Sequence, residues 1–205
     1  MMFLYGASGH GKVIADILNS NGIEIKAFID DNPSLSIFSN KPVFNSFFET
    51  EFDVAIDDLI ISVGNNFTRK KLADSLKVKF GRGVHSSAIL SQSSQVGKGT
   101  VVMANVTINA GSVIGEHCII NTNASIDHDC IVGDFAHLSP NVALAGDVHV
   151  GEGTHLGIGS CVIQGIRIGK WAIIGAGSVI IRNVPDFAVV VGNPGRVLKF
   201  RTDIR

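Results

Sequence analysis

Two short stretches hold residues whose types and spacing could do chemistry. In SIDHDC, residues 125–130, His128 is followed directly by Asp129. An imidazole exchanges its proton near neutral pH, and a neighbouring carboxylate orients the ring and stabilises its charged form. The pair is a candidate general base. In YGASGHGKV, residues 5–13, three glycines and His10 lie between a short apolar start and the run VIADILNSNG. Gly6, Gly11 and Lys12 almost spell the phosphate loop of an NTPase, but Val13 stands where Ser or Thr must hold magnesium. Gly6, Gly9 and Gly11 also miss the order of a dinucleotide fingerprint. The physics common to both motifs survives: a glycine turn aims backbone N–H groups at an anion from a helix N-terminus. Asp30 and Asp31 follow about 20 residues on, where a carboxylate commonly accepts from a ribose hydroxyl. The unit is expected to bind one nucleotide diphosphate, with no magnesium and no ATP chemistry.

The elements that must position these residues fall into two parts. Over residues 1–82, FLY reads as a strand ending at the glycine loop. KVIADILNSNG reads as a helix with an apolar face of Val13, Ile14, Ile17 and Leu18. EIKAFIDD is a second strand, NPSLS a turn, DDLIISVGNN a third strand and FTRKKLADSL a second helix; VFNSFFE takes no assignment. This β-α-β alternation predicts a parallel Rossmann-like sheet of about half the usual size.

From residue 83 onward a period of six takes over. Val84, Leu90, Val96, Val102 and every sixth residue to Ile180 are Val, Ile or Leu, seventeen positions without a break. Four residues after each lies a second column, small or medium in size apart from Ile166. Glycines such as Gly97, Gly115, Gly133 and Gly151 follow the aliphatic position directly and read as turn residues. Short strands with inward aliphatic residues and one hexad per face predict a triangular parallel β-helix. Three hexads make one coil of 18 residues, so seventeen hexads give nearly six coils and a prism about 27 Å long at the usual strand spacing. Cys118 and Cys130 fall in the small inward column and read as core residues.

The bulk numbers exclude several classes. Net charge is −1 and charged residues make up 17% of the 205, which argues against a nucleic-acid binder. No apolar run is long enough to span a membrane, and no secretory leader is visible. Three cysteines without metal-type spacing suit a reducing, cytoplasmic setting.

Three stretches carry a resemblance that covers essentially the whole chain: YGASGHGKV with AFIDD; NTNASIDHDCIVGDFAHLSP; and IGAGSVIIRNVPDFAVVVGNPGRV. Together they resemble the bacterial sugar-nucleotide acetyltransferases of the hexapeptide-repeat superfamily, of the bacillosamine, perosamine and sialic-acid type. The resemblance implies a left-handed β-helix over residues 83–205, which general crossover rules would not give. It implies a homotrimer with active sites between prisms, acetyl-CoA as co-substrate with no permanently bound cofactor, and an amino sugar attached to UDP or another nucleotide as acceptor.

Acetyl transfer to an amine needs a base, an attacked thioester carbonyl and support for the oxyanion. His128 is the expected base and Asp129 its orienting partner. One coil on from His128 is Gly146, whose backbone N–H is placed to hold the acetyl oxygen, and the resemblance implies the same role. His137, in FAHLSP, matches a second active-site histidine of the family. Gly6, Ser8, Gly9, His10, Gly11, Asp30 and Asp31 are the expected acceptor contacts. Gly146, Ile158, Gly175, Gly192, Asn193, Pro194 and Arg196 are the expected acetyl-CoA contacts, with Arg196 reaching a phosphate. His85, His117, His149 and His155 read as solvated or interface residues.

Three other functions compete. O-acetylation of a sialic-acid-type sugar could use the same base, and a β-helix could serve only as a scaffold. A γ-type carbonic anhydrase would need two histidines five residues apart, and no pair among 85, 117, 128, 137, 149 and 155 has that spacing; no metal site is expected.

Overall fold

The computed structural model describes residues 1–202. Its N-terminal unit is a sheet flanked by two helices. Strands β1 (Met2–Tyr5), β2 (Ile25–Ile29), β3 (Ile37–Phe38), β4 (Lys41–Phe44) and β5 (Asp58–Ile61) lie in the order β3-β4-β2-β1-β5. All neighbours are parallel except β3, which folds back antiparallel on β4. Ser39 and Asn40 link β3 and β4 with φ of 48° and 60°, the positive-φ pair that closes a tight hairpin without splaying its strands. The stretch VFNSFFE, unassigned from sequence, thus supplies the end of β4 and a 3-10 turn at Phe47–Glu49.

Helix α1 (Gly9–Ser20) buries Ile14, Ala15, Ile17 and Leu18. Val13 does not pack with them, contrary to its place in the expected apolar face; it is 40% exposed. Helix α2 (Asn66–Ser75) begins under an Asn65 cap whose side chain accepts from Thr68 N–H. It starts one residue before FTRKKLADSL. Below the sheet, Asp57 is buried and accepts from Lys26 at 3.0 Å. Burial pushes the Asp57 carboxyl up, but the Asp53 N–H and the Lys26 ammonium outweigh it and hold the group below its ordinary value.

The second part is a prism of seventeen two-residue strands, from Gly83–Val84 to Val179–Ile180. Each strand pairs in parallel with the strand 18 residues away, as in Ile108↔Ile126 and Ile126↔Leu144. The pairings make three faces. The first holds Ser125–Ile126, the second Ile131–Val132 and the third His137–Leu138. The aliphatic and small columns point inward and form one continuous core from Val102 to Val190. The third face is prolonged by strand Ala188–Val191, which pairs with Ile173–Ile174, and by Arg196–Phe200, which returns antiparallel beside it.

The corners follow a rule that the aliphatic period does not display. Fourteen residues in succession, every sixth from Gly99 to Gly177, have left-handed φ. They stand three places after the aliphatic residue, not one. The glycines directly after the aliphatic residue, expected as turn formers, answer a different need. A Cβ on Gly115 would lie 2.7 Å from Asp134 N of the next coil, so the stacked backbones leave no room for a side chain.

The left-handed column between the second and third faces runs Gly99, His117, Phe135, Gly153, Trp171. Bulky residues are uncommon in this conformation. Here they stack: the His117 and Phe135 rings are 5.1 Å apart and nearly parallel. The N-terminal unit covers them, with Phe80 edge-on to His117, Phe67 against Trp171 and Lys70 over Phe135. Of the two expectations for His117, a solvated or an interface residue, burial between Phe80 and Phe135 excludes the first.

Candidate active site

His128 and Asp129 occupy the corner between the first and second faces, and both side chains are exposed. Asp129 is one of the left-handed corner residues, with φ of 59°, and this turns its carboxylate back onto the preceding side chain. His128 Nδ1 lies 2.8 Å from Asp129 Oδ2. With Nδ1–H donated there, Nε2 is left as the basic nitrogen. Asp127, which the sequence reading passed over, fixes the backbone beneath: its Oδ1 accepts from His128 N–H at 2.8 Å and from Asn109 Nδ2 at 2.9 Å. The hydrogen bond to Asp129, then the Asp127 charge, raise the His128 pKa above its ordinary value.

Gly146 lies one coil on, against the same ring. A Cβ there would fall 2.6 Å from His128 Cε1 and Nε2. Its own carbonyl accepts from Gly165 N–H, whereas its N–H has no acceptor among the described residues. A basic nitrogen and an unclaimed N–H donor thus lie side by side at one corner.

The expected acceptor residues gather elsewhere, at the C-terminal ends of β1, β2 and β5. Gly6 has a φ of 117° and sits against the Ser62 carbonyl, and Gly11 lies against the Gly6 carbonyl. Packing accounts for both. Gly9 alone faces open space and leaves the backbone approachable. Ser8 precedes α1 but its side chain caps nothing, so the first-turn N–H groups of the helix stay available. Asp30 is tied into the loop: its carboxylate accepts from Ala7 N–H at 2.8 Å and Asn32 N–H at 3.0 Å. Asp31 accepts from the Tyr5 hydroxyl at 2.9 Å.

Behind this loop the outward column of the third face runs Val101, Ile119, His137, His155, Ile173. Val101 and Ile119 pack with Ile14 and Leu18. The column then turns polar. The His137 and His155 rings stack 4.7 Å apart; Nε2 of His155 lies 2.9 Å from Ser139 Oγ, and Nε2 of His137 lies 3.5 Å from Asn121 Nδ2. Burial, with the charges of His155, Arg69 and His10, pushes His137 down to about 3. Burial and Arg69 push His10 down to about 4. His155 is lowered by burial and Arg69 as well, so it too is no solvated residue. The sequence signal for His155 was available: it lies one coil below His137 in the same column.

One chain therefore brings together His10 and His137, and separately His128, Asp129 and Gly146. The corner bearing His128 is opposite the third face, which carries the N-terminal unit. Ile158 sits on another corner, between the third and first faces, and is 53% exposed. Gly175 lies under the C-terminal hairpin, where a Cβ would meet Val191. Arg196 and Arg182 line a cleft of about 200 Å³ with Ile181 and Asn183. Arg182 shares the corner column of His128 and Gly146, two coils further on. Gly192, Asn193 and Pro194 form the neighbouring hairpin, with Gly192 N–H donating to Ser178 Oγ at 3.1 Å. No helix among the described residues is long and apolar enough to cross a membrane.

Comparison with known proteins places this geometry. Residues 1–76 match the PglD N-terminal domain. The chain is 42% identical over 105 residues to UDP-N-acetylbacillosamine N-acetyltransferase of Bacillus subtilis (strain 168), a stretch covering 48% of this chain and 49% of that protein. The match thus spans about half the length of that relative. Similarity to solved structures runs nearly end to end. The acetyltransferase domain of PglB from Neisseria gonorrhoeae FA1090 is 35% identical, with a TM-score of 0.90 over 96% of this chain and 98% of that one. PerB from Caulobacter crescentus, in complex with CoA and GDP-perosamine, is 36% identical, with a TM-score of 0.90 over 97% of each chain.

A left-handed parallel β-helix with a His–carboxylate pair at a coil corner, preceded by a half-size Rossmann-like unit, defines a hexapeptide-repeat acyltransferase. Within that class the N-terminal unit narrows the assignment. The chain belongs to the sugar acetyltransferases of the hexapeptide-repeat superfamily.

Proposed function

We propose that this protein transfers an acetyl group from acetyl-CoA to the amino group of a nucleotide-linked 4-amino-deoxysugar, UDP-linked, with His128 as general base. The observation that carries the reading is the corner at which His128 Nδ1 is held by Asp129 while Gly146 lies against its other edge. His128 Nε2 takes the ammonium proton. The freed amine attacks the thioester carbonyl carbon, and the Gly146 N–H supports the oxyanion. His128 passes that first proton to solvent, takes the second from the nitrogen of the tetrahedral intermediate, and gives it to the thiolate as the carbon–sulfur bond breaks, which leaves a neutral amide and a free thiol. No acyl-enzyme is invoked: Cys118 and Cys130 are buried in the core, burial pushes the Cys118 thiol up to about 12, and the exposed Cys161 Sγ meets only the Gly159 carbonyl among the described residues, with no base to activate it.

The glycine loop supports a nucleotide-linked acceptor through Gly9 and the open first turn of α1. The Bacillus relative is named for a UDP-sugar, while PerB is seen with a GDP-sugar. Rates on a panel of UDP-, GDP- and dTDP-linked amino sugars, followed by release of free thiol, test the reading. Turnover that favours UDP and is lost in His128→Ala supports it. Absence of thiol release on every nucleotide amino sugar overturns it.

A homotrimer completes the site in this reading. The acceptor loop and His137 lie across the prism from His128, so a neighbouring prism must bring the two halves together. Within the outward column of the second face, Val113 and Ile131 lie side by side between Gln95 and His149 and are exposed in one chain, as apolar residues covered by a neighbour would be. Sedimentation near three times the 21.7 kDa chain mass is expected. Mixing inactive His128→Ala and Gly9→Trp chains is expected to restore part of the activity.

A further inference from the structure

Inside the corner that carries His128, the small inward column runs Ser94, Ser112, Cys130, Val148, Ile166, Val184. Two of its members reach into the next coil. Ser112 Oγ donates to Asp127 O at 2.6 Å and accepts from Cys130 N–H at 3.0 Å. Cys130 Sγ in turn donates to Ala145 O at 3.2 Å. Each bond lands on the carbonyl just before a residue of the site: Asp127 precedes His128, and Ala145 precedes Gly146. The rest of the column does not do this. Ser94 Oγ donates within its own turn, to Ser91 O at 2.7 Å, and Val148, Ile166 and Val184 have no side-chain donor.

The bond to Ala145 has a geometric consequence. A trans peptide is planar, so its C=O and N–H point in opposite directions. The Ala145 carbonyl points at Cys130, which is buried in the prism core. The Gly146 N–H must then point out of the prism, on the side where the His128 ring lies. It is also the N–H that finds no acceptor among the described residues. The peptides on either side are held by ladder bonds, Ala145 N–H to Val162 O and Asp147 N–H to His128 O. Between them, the 145–146 peptide has the Cys130 thiol as its one partner among the described residues. Gly146 adds no side chain to restrict its own rotation.

We propose that Cys130 is a positioning residue for the oxyanion donor: its thiol holds the Ala145 carbonyl inward and so aims the Gly146 N–H at the reacting thioester. Cys130 is buried and acts through Ala145. The next corner offers a matched control, since Cys118 Sγ donates to Gly133 O, also at 3.2 Å, and there the bond only secures a turn. That the aimed N–H serves turnover rests on the acetyltransferase reading; the aim of the peptide does not.

The test has two arms. Cys130→Ala deletes the donor, and alanine already fills the equivalent inward place at Ala124, Ala136 and Ala172. Its kcat is expected to fall about tenfold, less than the full loss of an oxyanion donor. Both KM values should stay within about twofold, because the donor acts in the transition state. Cys130→Ser puts back a donor, as Ser112 supplies one coil earlier, and should restore most of kcat. Cys118→Ala loses the same kind of bond and should leave kcat at the wild-type level. Unchanged kcat in a folded Cys130→Ala, no recovery in a folded Cys130→Ser, or an equal loss in Cys118→Ala each overturns the proposal. The second arm leaves Cys130 untouched. In a Cys118→Ser, Cys161→Ser protein, the single remaining thiol should show the lowered Raman S–H stretch of a hydrogen-bonded donor. A free-thiol frequency overturns the proposal. Failure of the wild type to turn over any acceptor removes the acetyltransferase reading and leaves the Raman arm standing.

Discussion

A Cβ on Gly146 would lie 2.6 Å from Nε2 of His128, the nitrogen that Asp129 leaves free. Gly146 does not have left-handed φ, so glycine is required at this corner by the ring beside it and not by the backbone. Gly146→Ala should therefore spare the fold and harm the chemistry. The methyl group must push the imidazole away from the N–H that supports the oxyanion. A loss of about 10²-fold in kcat is expected, the scale of a lost oxyanion donor, with Tm shifted by less than about 2 °C, as for a surface change below ~0.5 kcal/mol. Full kcat in Gly146→Ala would detach this corner from catalysis.

The pH profile follows from Asp129. His128 must be neutral to accept the amine proton, and its pKa is raised by the Asp129 hydrogen bond and the Asp127 charge. The kcat/KM of the free enzyme should thus climb through an inflection above 6.5, the ordinary histidine value. Asp129→Asn removes the main cause, so the inflection moves to lower pH while the plateau falls, because the ring loses its orienting charge. His128→Ala removes the limb altogether, with a loss of about 10²–10⁴-fold, the usual worth of a general base. An inflection that stays in place in Asp129→Asn would assign the limb to another group.

Much of this was legible in the sequence, for a physical reason. A coil of 18 residues stacks identical positions, so the aliphatic period gave the core, the coil length and the neighbour of His128 by counting. Three things did not show. The left-handed corner residue has no single residue type: Gly, Asn, Asp, His, Phe and Trp all occupy it. The bulky ones make sense only under α2, a contact between distant parts of the chain. The β3–β4 hairpin rests on Ser39 and Asn40, a weaker turn pair than Asn-Gly. Arg69 reads as one of three adjacent basic residues on a helix, and nothing local says that it points inward. The glycine loop was legible only by type: Gly6 and Gly11 meet protein and Gly9 does not, a distinction set by Ser62 and Phe28 far along the chain.

The corner rule makes a stability prediction. Gly153 has φ of 66°, and a Cβ there would lie 2.4 Å from the Trp171 ring. Left-handed backbone costs a residue with a Cβ about 1–2 kcal/mol, and the clash adds to it. Gly153→Ala should lower Tm by more than about 4 °C at the 2–4 °C per kcal/mol usual for this size. Asn141 has the same backbone, φ of 59°, on another corner. Asn141→Gly removes that strain and frees the unfolded chain by a similar amount, so Tm should move by less than about 2 °C, within ~0.5 kcal/mol. Equal shifts in the two variants would mean that φ and the aromatic stack do not govern the corners.

Acid should open the junction between the two parts. His10, His117 and His137 are pushed down by burial to about 4, 4 and 3, and His155 is lowered as well. All four lie where the N-terminal unit meets the prism. The folded state holds them neutral, whereas the unfolded chain protonates them near 6.5. The unfolded state therefore binds more protons below that pH, and stability must fall there. The contribution is complete above about pH 6.5 and is lost between about 6.5 and 4. His128 has the opposite sign, since its folded pKa is raised, but it is a single exposed group. Urea unfolding at pH 7.5, 6.0 and 5.0 should show a steady fall in midpoint. His155→Gln, which keeps a partner for Ser139 and cannot be protonated, should flatten that slope while leaving the pH 7.5 midpoint within reach of the wild type. A slope unchanged by His155→Gln would place the acid sensitivity in groups away from the stacked pair.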